Sequence, residues 1–395
     1  MASSDAVADQ APRHSTQYFV AAAGFVALAG GATILGGDGW RMAALFLIGG
    51  LLGISLYHAA FGFTSAYRDA YLHRDVSEVM AQLVMLAVAM VIFAALLSEG
   101  ELFGRRLGGA LAPVGVQVAL GSFVFGIGMQ LGGGCGSGTL YTVGGGSVRM
   151  LATLAALCLG GFWASLHMSW WLATPHLPAI SLAAEFGWGV ALAMQFGLLA
   201  LIWWGLRTWR GNVEQRPLWR RNFTWRHLLM GPWPLLLAAL MLAALNGLIV
   251  AIAGHPWSIT WGFTLWAAKL AQSVGWDPAA SPFWSGQFAA KALSRGLWDD
   301  VTSVMNGGLI LGALMAAGLA GRFSPGFRLP LKSLAAALIG GLMMGYGARI
   351  AFGCNIGAFF SGVASTSLHG WLWIACALPG MLIGLKLRPW FGLRN

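Results

Sequence analysis

Charge is what this sequence lacks. Asp, Glu, Lys and Arg make up 9% of its 395 residues, and 58% are apolar. An ordinary soluble domain carries about 25% charged residues, so the deficit excludes one, and a mean hydropathy of +0.71 agrees. Cysteine is scarce too. Cys135, Cys158, Cys354 and Cys376 form no Cys-x-x-Cys pair, and no His/Cys cluster has zinc spacing. That argues against a metal centre or a disulfide framework. No Gly-xxxx-Gly-Lys-Ser/Thr string occurs, so the chain carries no such ATP-binding loop. Nothing resembles a nucleic-acid-binding motif, although the net charge is +10. The opening MASSDAVADQAPRHSTQ lacks the basic start of a signal peptide, and 1–17 reads as a short disordered tail. No cofactor is expected.

What is present is a set of long apolar runs. Residues 83–97, 111–131, 150–173, 190–205 and 235–253 are almost free of charge, close to the roughly 17–25 residues a membrane helix needs. The expectation is an all-α integral membrane protein. Spans are placed near 18–36, 41–60, 79–97, 111–131, 150–173, 186–206, 233–254, 304–320, 332–352 and 370–388. The basic residues sit in loops and read as topology. Arg207, Arg210, Arg216, Arg220, Arg221 and Arg226 stand against Glu214 alone, which makes 207–230 a cytoplasmic linker. Arg322, Arg328 and Lys332 put a second loop on that side. Glu99 and Glu101 balance Arg105 and Arg106, which fits the outside. Both termini come out cytoplasmic.

The chain repeats itself. GFT at Gly62 returns at Gly262, DVSEVM at Asp75 returns as DVTSVM at Asp300, and a Gly-Cys motif at Cys135 returns at Cys354. Gly121, Gly126, Gly128, Gly134 and Gly138 align with Gly340, Gly345, Gly347, Gly353 and Gly357. Five crossings separate the loop near 103–113 from its counterpart at 322–332. The halves, 18–206 and 231–395, are therefore expected to be inverted structural repeats, an arrangement typical of transporters. The stretches after each GFT are too polar to span freely. Those after each cysteine are too rich in Gly and Ser to continue a helix cheaply. All four are expected to be short or re-entrant helices. Irregular backbone at membrane depth is tolerated where it is buried or lines a cavity, and 57 glycines permit both broken helices and close helix packing.

A helix that starts inside the membrane offers free N–H groups and partial positive charge to an anion. Gly134, Cys135 and Gly136 in one half, and Gly353, Cys354 and Asn355 in the other, are the candidate pathway. A thiol is a soft, weak donor that suits a sulfur atom. The competing reading is that both cysteines are small buried hydrophobes, and Cys158 and Cys376, without a glycine setting, are read that way. Asn355 either orients substrate or satisfies the broken backbone. Arg349 is either functional, as charge in a span suggests, or snorkels to an interface. Arg68 and Asp69 are read as a pair, and Asp75 and Asp300 as helix N-caps. His369, Trp371 and Trp373 are read as an interfacial belt. Asp5, Asp9 and Arg13 are read as tail residues.

HPWSITWGFTLWAAKL, DVTSVMNGGLILGAL and MGYGARIAFGCNIGAFFSGVASTSLHGWLW together closely resemble the YeeE/YedE family of membrane transporters for sulfur compounds, the second half especially its YedE-type branch. The resemblance spans nearly all of 43–393. It implies uptake of thiosulfate or a related reduced sulfur or selenium compound across the bacterial inner membrane, through two inverted halves with cysteine S–H groups along a narrow path. Cys135 and Cys354 match the family's two Gly-Cys positions. The resemblance also implies a small cytoplasmic sulfur-carrier partner of the TusA type. The chain departs from the family at one place. Thiosulfate importers there typically carry a cysteine in an F-C-F-type motif before Arg-Asp, whereas FGFTSAYRD puts Gly62 at that position. The alternatives are a selenium-compound transporter, a membrane-embedded sulfurtransferase or thiol oxidoreductase, and a soft-metal pathway.

Overall fold

The computed structural model of the chain describes residues 15–37, 39–219 and 222–394. Asp5, Asp9, Arg13, Arg220 and Arg221 lie outside them. Thr16 and Gln17, at the end of the expected tail, are tied to the body: Thr16 donates to the Leu319 carbonyl, and Gln17 exchanges side-chain bonds with the backbone of Phe323.

The protein is built almost wholly from helices, and among the described residues ten are long and apolar enough to cross a membrane. The first half holds α1 (Tyr18–Gly36), α2 (Trp40–Ala59), α3 (Phe63–His73), α4 (Ser77–Glu99), α5 (Val116–Gly132), α6 (Gly136–Gly144), α7 (Val148–Leu166) and α8 (Leu182–Arg210). The second holds α9 (Leu235–Ala253), α10 (Thr260–Ser273), α11 (Val301–Leu319) and α12 (Leu331–Ile350). It closes with α13, a π-helical stretch Asn355–Phe360 running into Ser361–Ala364, and α14 (Leu368–Leu387). The spans fall within a few residues of their expected places, with local exceptions. Residues 113–115 form a short strand antiparallel to 176–179, so α5 begins only at Val116. The run 150–173 breaks at His167.

Start signals are side chains that accept the orphan amides of a first turn. Ser147, Ser181 and Asp300 cap α7, α8 and α11 in this way. Asp75 does not occupy the cap position of α4. It stands one residue earlier and accepts the Ser77 amide at 3.1 Å.

Four of these labelled helices are too short to cross: α3 with 11 residues, α10 with 14, α6 with 9, and α13 with its two stretches of 6 and 4. At about 1.5 Å per residue, none reaches the ~30 Å of a bilayer core.

Packing comes in exchanged pairs. α7 packs on α12 and α14 on α5; α2 packs on α11 and α9 on α4; α6 packs on α11 and α13 on α4. At the centre α5 crosses α12 through glycines. A Cβ on Gly121 would meet the Gly347 carbonyl at 2.7 Å, and one on Gly128 would meet the Gly340 carbonyl at 2.7 Å. Rising numbers on α5 thus meet falling numbers on α12, and the two helices run antiparallel. Without a hydrophobic driving force between helices in lipid, such small-residue contact is what lets van der Waals attraction hold them. α8 stands apart, with few of its residues buried and Leu201 and Trp204 exposed.

Candidate functional site

Each motif cysteine sits where a long helix has just ended. α5 stops at Gly132, and Gly133 follows at φ +90°, a conformation glycine adopts without a Cβ penalty. Cys135 is then extended (φ −81°, ψ −167°) and precedes α6. In the second half Phe352 (φ +59°) and Gly353 (φ +151°) make the turn, and Cys354 is extended (φ −105°, ψ −165°) before α13. Two different turns thus deliver two cysteines in almost the same backbone conformation. Trp373 donates its indole N–H to the Gly353 carbonyl at 3.1 Å, fixing the second turn.

Neither thiol caps its helix. The Ser137 hydroxyl lies 3.4 Å from the Cys135 sulfur. Both cysteines are buried.

The two motifs meet. A Cβ built on Gly136, the first residue of α6, would stand 3.2 Å from the Cys354 sulfur and 3.5–3.6 Å from the methyls of Ile259 and Thr260. One half's thiol therefore lies against the start of the other half's short helix. Gly134 and Gly353 are tight in a related way: a Cβ there would press on the first turn of α6, 3.1 Å from Gly138, and of α13, 2.7 Å from the Ala358 nitrogen.

Asn355, immediately after Cys354, is buried, and neither atom of its amide has a protein hydrogen-bond partner. It does not satisfy the broken backbone. A buried amide left open costs roughly 1–3 kcal/mol, which a polar ligand would offset.

Arg349 lines a cavity of about 630 Å³ that reaches Gly353. Its guanidinium stands 5.0 Å from the Phe283 ring centre and 5.9 Å from that of Trp261, and its Nε is buried without a partner. Arg105, His255, Lys291 and Arg295 share the cavity wall, against Asp299 and Asp300. Asp300 is already committed to the Ser303 amide and hydroxyl and to the Trp261 indole. The wall favours an anion.

Gly62 stands at the start of α3. A Cβ there would meet the Ser65 hydroxyl at 2.6 Å and the Tyr141 hydroxyl at 3.6 Å. Two hydroxyls thus border the position where the resemblance leads one to expect a thiol. Ser65 also hydrogen-bonds the Gly62 carbonyl and a Glu78 carboxylate oxygen, each at 3.1 Å.

Sequence reasoning missed Ser65, Glu78, Tyr141 and Ser137. Only Glu78 carried a signal, a carboxylate at the edge of an apolar run. It also misplaced two residues of the expected belt. His369 is buried with its Nδ1 2.7 Å from the Ser367 hydroxyl, and Trp373 is buried at the second turn. Interfacial preference describes residue types in loops and span ends, and here these types serve the broken helix instead. Trp371 donates to Gln195 at 3.0 Å.

The linker holds a further surprise. Arg216 pairs with Asp69 at 3.3 Å, Asp75 at 2.6 Å and buried Glu78 at 3.0 Å, while Arg68 lies 3.6 Å from Asp69 as expected. Burial pushes the Asp75 carboxyl up, but the Ser77 hydrogen bonds and the Arg216 charge outweigh it and hold it below its ordinary value. A depressed carboxyl contributes stability that is present above its unfolded value and lost as pH falls through the folded one. Arg216→Ala leaves Glu78 buried without its cation. Because Arg216 is half exposed, the expected cost is about 1–2 kcal/mol, below the range for fully buried pairs. Thermal unfolding of the purified protein in detergent should show a lowered midpoint at neutral pH, a smaller difference in acid, and partial recovery on adding Glu78→Gln. An unchanged midpoint would show that the cluster is solvated and idle.

Comparison with known proteins agrees with this architecture. A family described as sulphur transport matches residues 58–383. The thiosulfate transporter TsuA of Spirochaeta thermophila is 30% identical over 353 residues, 82% of this chain and 92% of that protein. TsuA of Escherichia coli is 25% identical over 368 residues, 87% of this chain and 92% of that one. The probable transporter YedE of E. coli is 31% identical over 172 residues, 43% of this chain and 39% of its own. With the matched region spanning all four short helices and both Gly-Cys turns, the chain belongs to the sulphur transport family of YeeE/YedE membrane transporters.

Proposed function

We propose that this protein carries thiosulfate, or a closely related reduced sulfur anion, across the bacterial inner membrane along a path that passes Cys354 and Cys135. The observation that carries the proposal is the approach of the Cys354 sulfur to Gly136, where a Cβ would stand 3.2 Å from it, and we read the two Gly-Cys turns as one site on that ground. The anion enters the basic cavity at Arg349 and reaches Gly353. There the S–H groups donate to its terminal sulfur, while first-turn amides of α6 and α13 and the Asn355 amide hold its oxygens. The hydrogen bonds are exchanged one at a time and no covalent bond forms. Ser137, the residue facing the Cys135 sulfur, is not a base, so a sulfurtransferase role finds less support.

The antiparallel α5 and α12 and the exchanged helix pairs support the reading of 18–206 and 231–395 as inverted repeats. On that reading the 207–230 linker and both termini are cytoplasmic, and a TusA-like carrier would take the anion on that side.

The test is uptake of labelled thiosulfate into cells that lack their own importers. Uptake should rise above the empty-vector level and be competed by unlabelled thiosulfate but not by sulfate. Cys135→Ala and Cys354→Ala each remove one weak donor, about 1 kcal/mol, and should slow uptake about fivefold. Cys158→Ala and Cys376→Ala should not. Equal competition by sulfate, or indifference to both motif cysteines, would sink the thiol pathway. Selenium analogues belong in the same competition series, because Gly62 leaves hydroxyls where the resemblance leads one to expect a thiol.

A further inference from the structure

A second cavity, of about 360 Å³, is lined by Tyr57, Tyr141, Thr142, Arg149 and Arg328 among others. It lies on the face opposite the Arg349 cavity. Met42 near the start of α2 borders the first cavity and Tyr57 near its end borders the second, and a 20-residue helix is about 30 Å long. Among the described residues its wall contains two arginines and no carboxylate. Arg149 is fixed there by hydrogen bonds to the Gly132 and Leu131 carbonyls at 2.6 and 2.7 Å and to Ser333 at 2.9 Å. It points its charge at the C-terminal end of α5, just before Cys135.

Tyr141 lines this cavity, and the short helix that carries it starts directly after buried Cys135. It lies on α6, six residues beyond the cysteine. Its hydroxyl is the atom nearest Gly62 after Ser65. Its ring meets the Tyr57 ring edge-on, centres 6.4 Å apart, and Tyr57 in turn packs on the backbone at Gly145, where a Cβ would come within 2.7 Å. The two rings form a wall. The Glu78 carboxylate is engaged by Ser65 and Arg216, which masks a charge that would otherwise repel an anion.

We propose that the 360 Å³ cavity is the exit vestibule and that Tyr141 is its gate: the ring closes Cys135 off from the cavity, and the hydroxyl is the last donor the anion meets. The proposal rests on the thiol pathway above. The side on which the gate opens is the side of Arg328.

The test reads access directly. In a chain with Cys158, Cys354 and Cys376 replaced by alanine, Cys135 is the one thiol. Its labelling by a membrane-impermeant maleimide is timed in right-side-out and inside-out vesicles. Tyr141→Ala should speed labelling about tenfold or more from the Arg328 face and leave it unchanged from the other, since thiol reaction follows access. Tyr57→Ala, across the same ring pair, should give the same one-sided change if Tyr141→Ala does not reach the membrane. Tyr141→Phe keeps the ring, so labelling should stay slow, while in the chain with all its cysteines thiosulfate uptake should fall several-fold. Unchanged labelling in the alanine variants, or an equal rise from both faces, overturns the gate. Unchanged uptake in Tyr141→Phe overturns the donor role. Uptake that survives Cys135→Ala would count against the thiol pathway alone, and labelling would still decide the gate.

Discussion

Gly136→Val is expected to reduce thiosulfate uptake at least about thirtyfold, more than the loss of either thiol, while both cysteines and the amount of protein in the membrane stay as they were. Its Cβ would already sit 3.2 Å from the Cys354 sulfur and close to Ile259 and Thr260. Two further methyls have nowhere to go except into the gap between the two turns. The backbone is not the obstacle, because Gly136 is the first residue of a helix and is not among the glycines of positive φ. A steric plug at a junction acts on every passing ion, whereas removing one weak donor only raises one step by about 1 kcal/mol. Gly136→Ala should fall between the two. Its single methyl meets a sulfur that can rotate by a few tenths of an ångström. Uptake by the valine variant at the wild-type rate would mean that the anion does not pass between Cys354 and α6.

How much of this could be read from the chain depends on the distance over which each signal acts. The ten spans are legible because membrane length and lack of charge are local properties of about 20 residues. The positions of Cys135 and Cys354 are legible because the glycines that break a helix stand beside them in sequence. The contact of Cys354 with Gly136 is only half legible: a repeat implies that equivalent parts meet near an axis, but not which atoms touch. Tyr141, Ser65 and Glu78 could not be found that way. They belong to α6, α3 and α4, and they converge only because α3 and α6 both start inside the protein. Arg216 was hidden for a different reason. The positive-inside bias counts arginines in a loop as a sum, and a sum does not say that one of them reaches back to three acids of the first half. The aromatic belt failed at Trp373 because the rule describes residues that face lipid, and this one is buried against the second turn, where its indole holds the Gly353 carbonyl.

Arg349→Gln is the second large effect to expect, and it should appear in the apparent affinity. Arg349 is the cation nearest in sequence to Cys354 and shares its cavity wall with Gly353. Phe283 and Trp261 hold the guanidinium from its flank by cation–π contact, so it is positioned before any ion arrives. A unit charge about 6–8 Å from an anion at an effective dielectric near 20 is worth on the order of 2 kcal/mol, or about thirtyfold in binding. The glutamine variant should therefore need about thirtyfold more thiosulfate for half-maximal uptake, with a smaller change in the maximal rate. Added salt should weaken the wild type towards the variant, because the cavity is open enough for screening to reach it. Arg349→Lys keeps the charge but loses the planar stacking on two rings, and a lysine there would be a mobile point charge. It should recover only part of the affinity. If Arg349→Gln left the half-saturating concentration unchanged and lowered the maximal rate alone, the arginine would act on a step after entry. The basic cavity would then serve to collect anions without selecting among them.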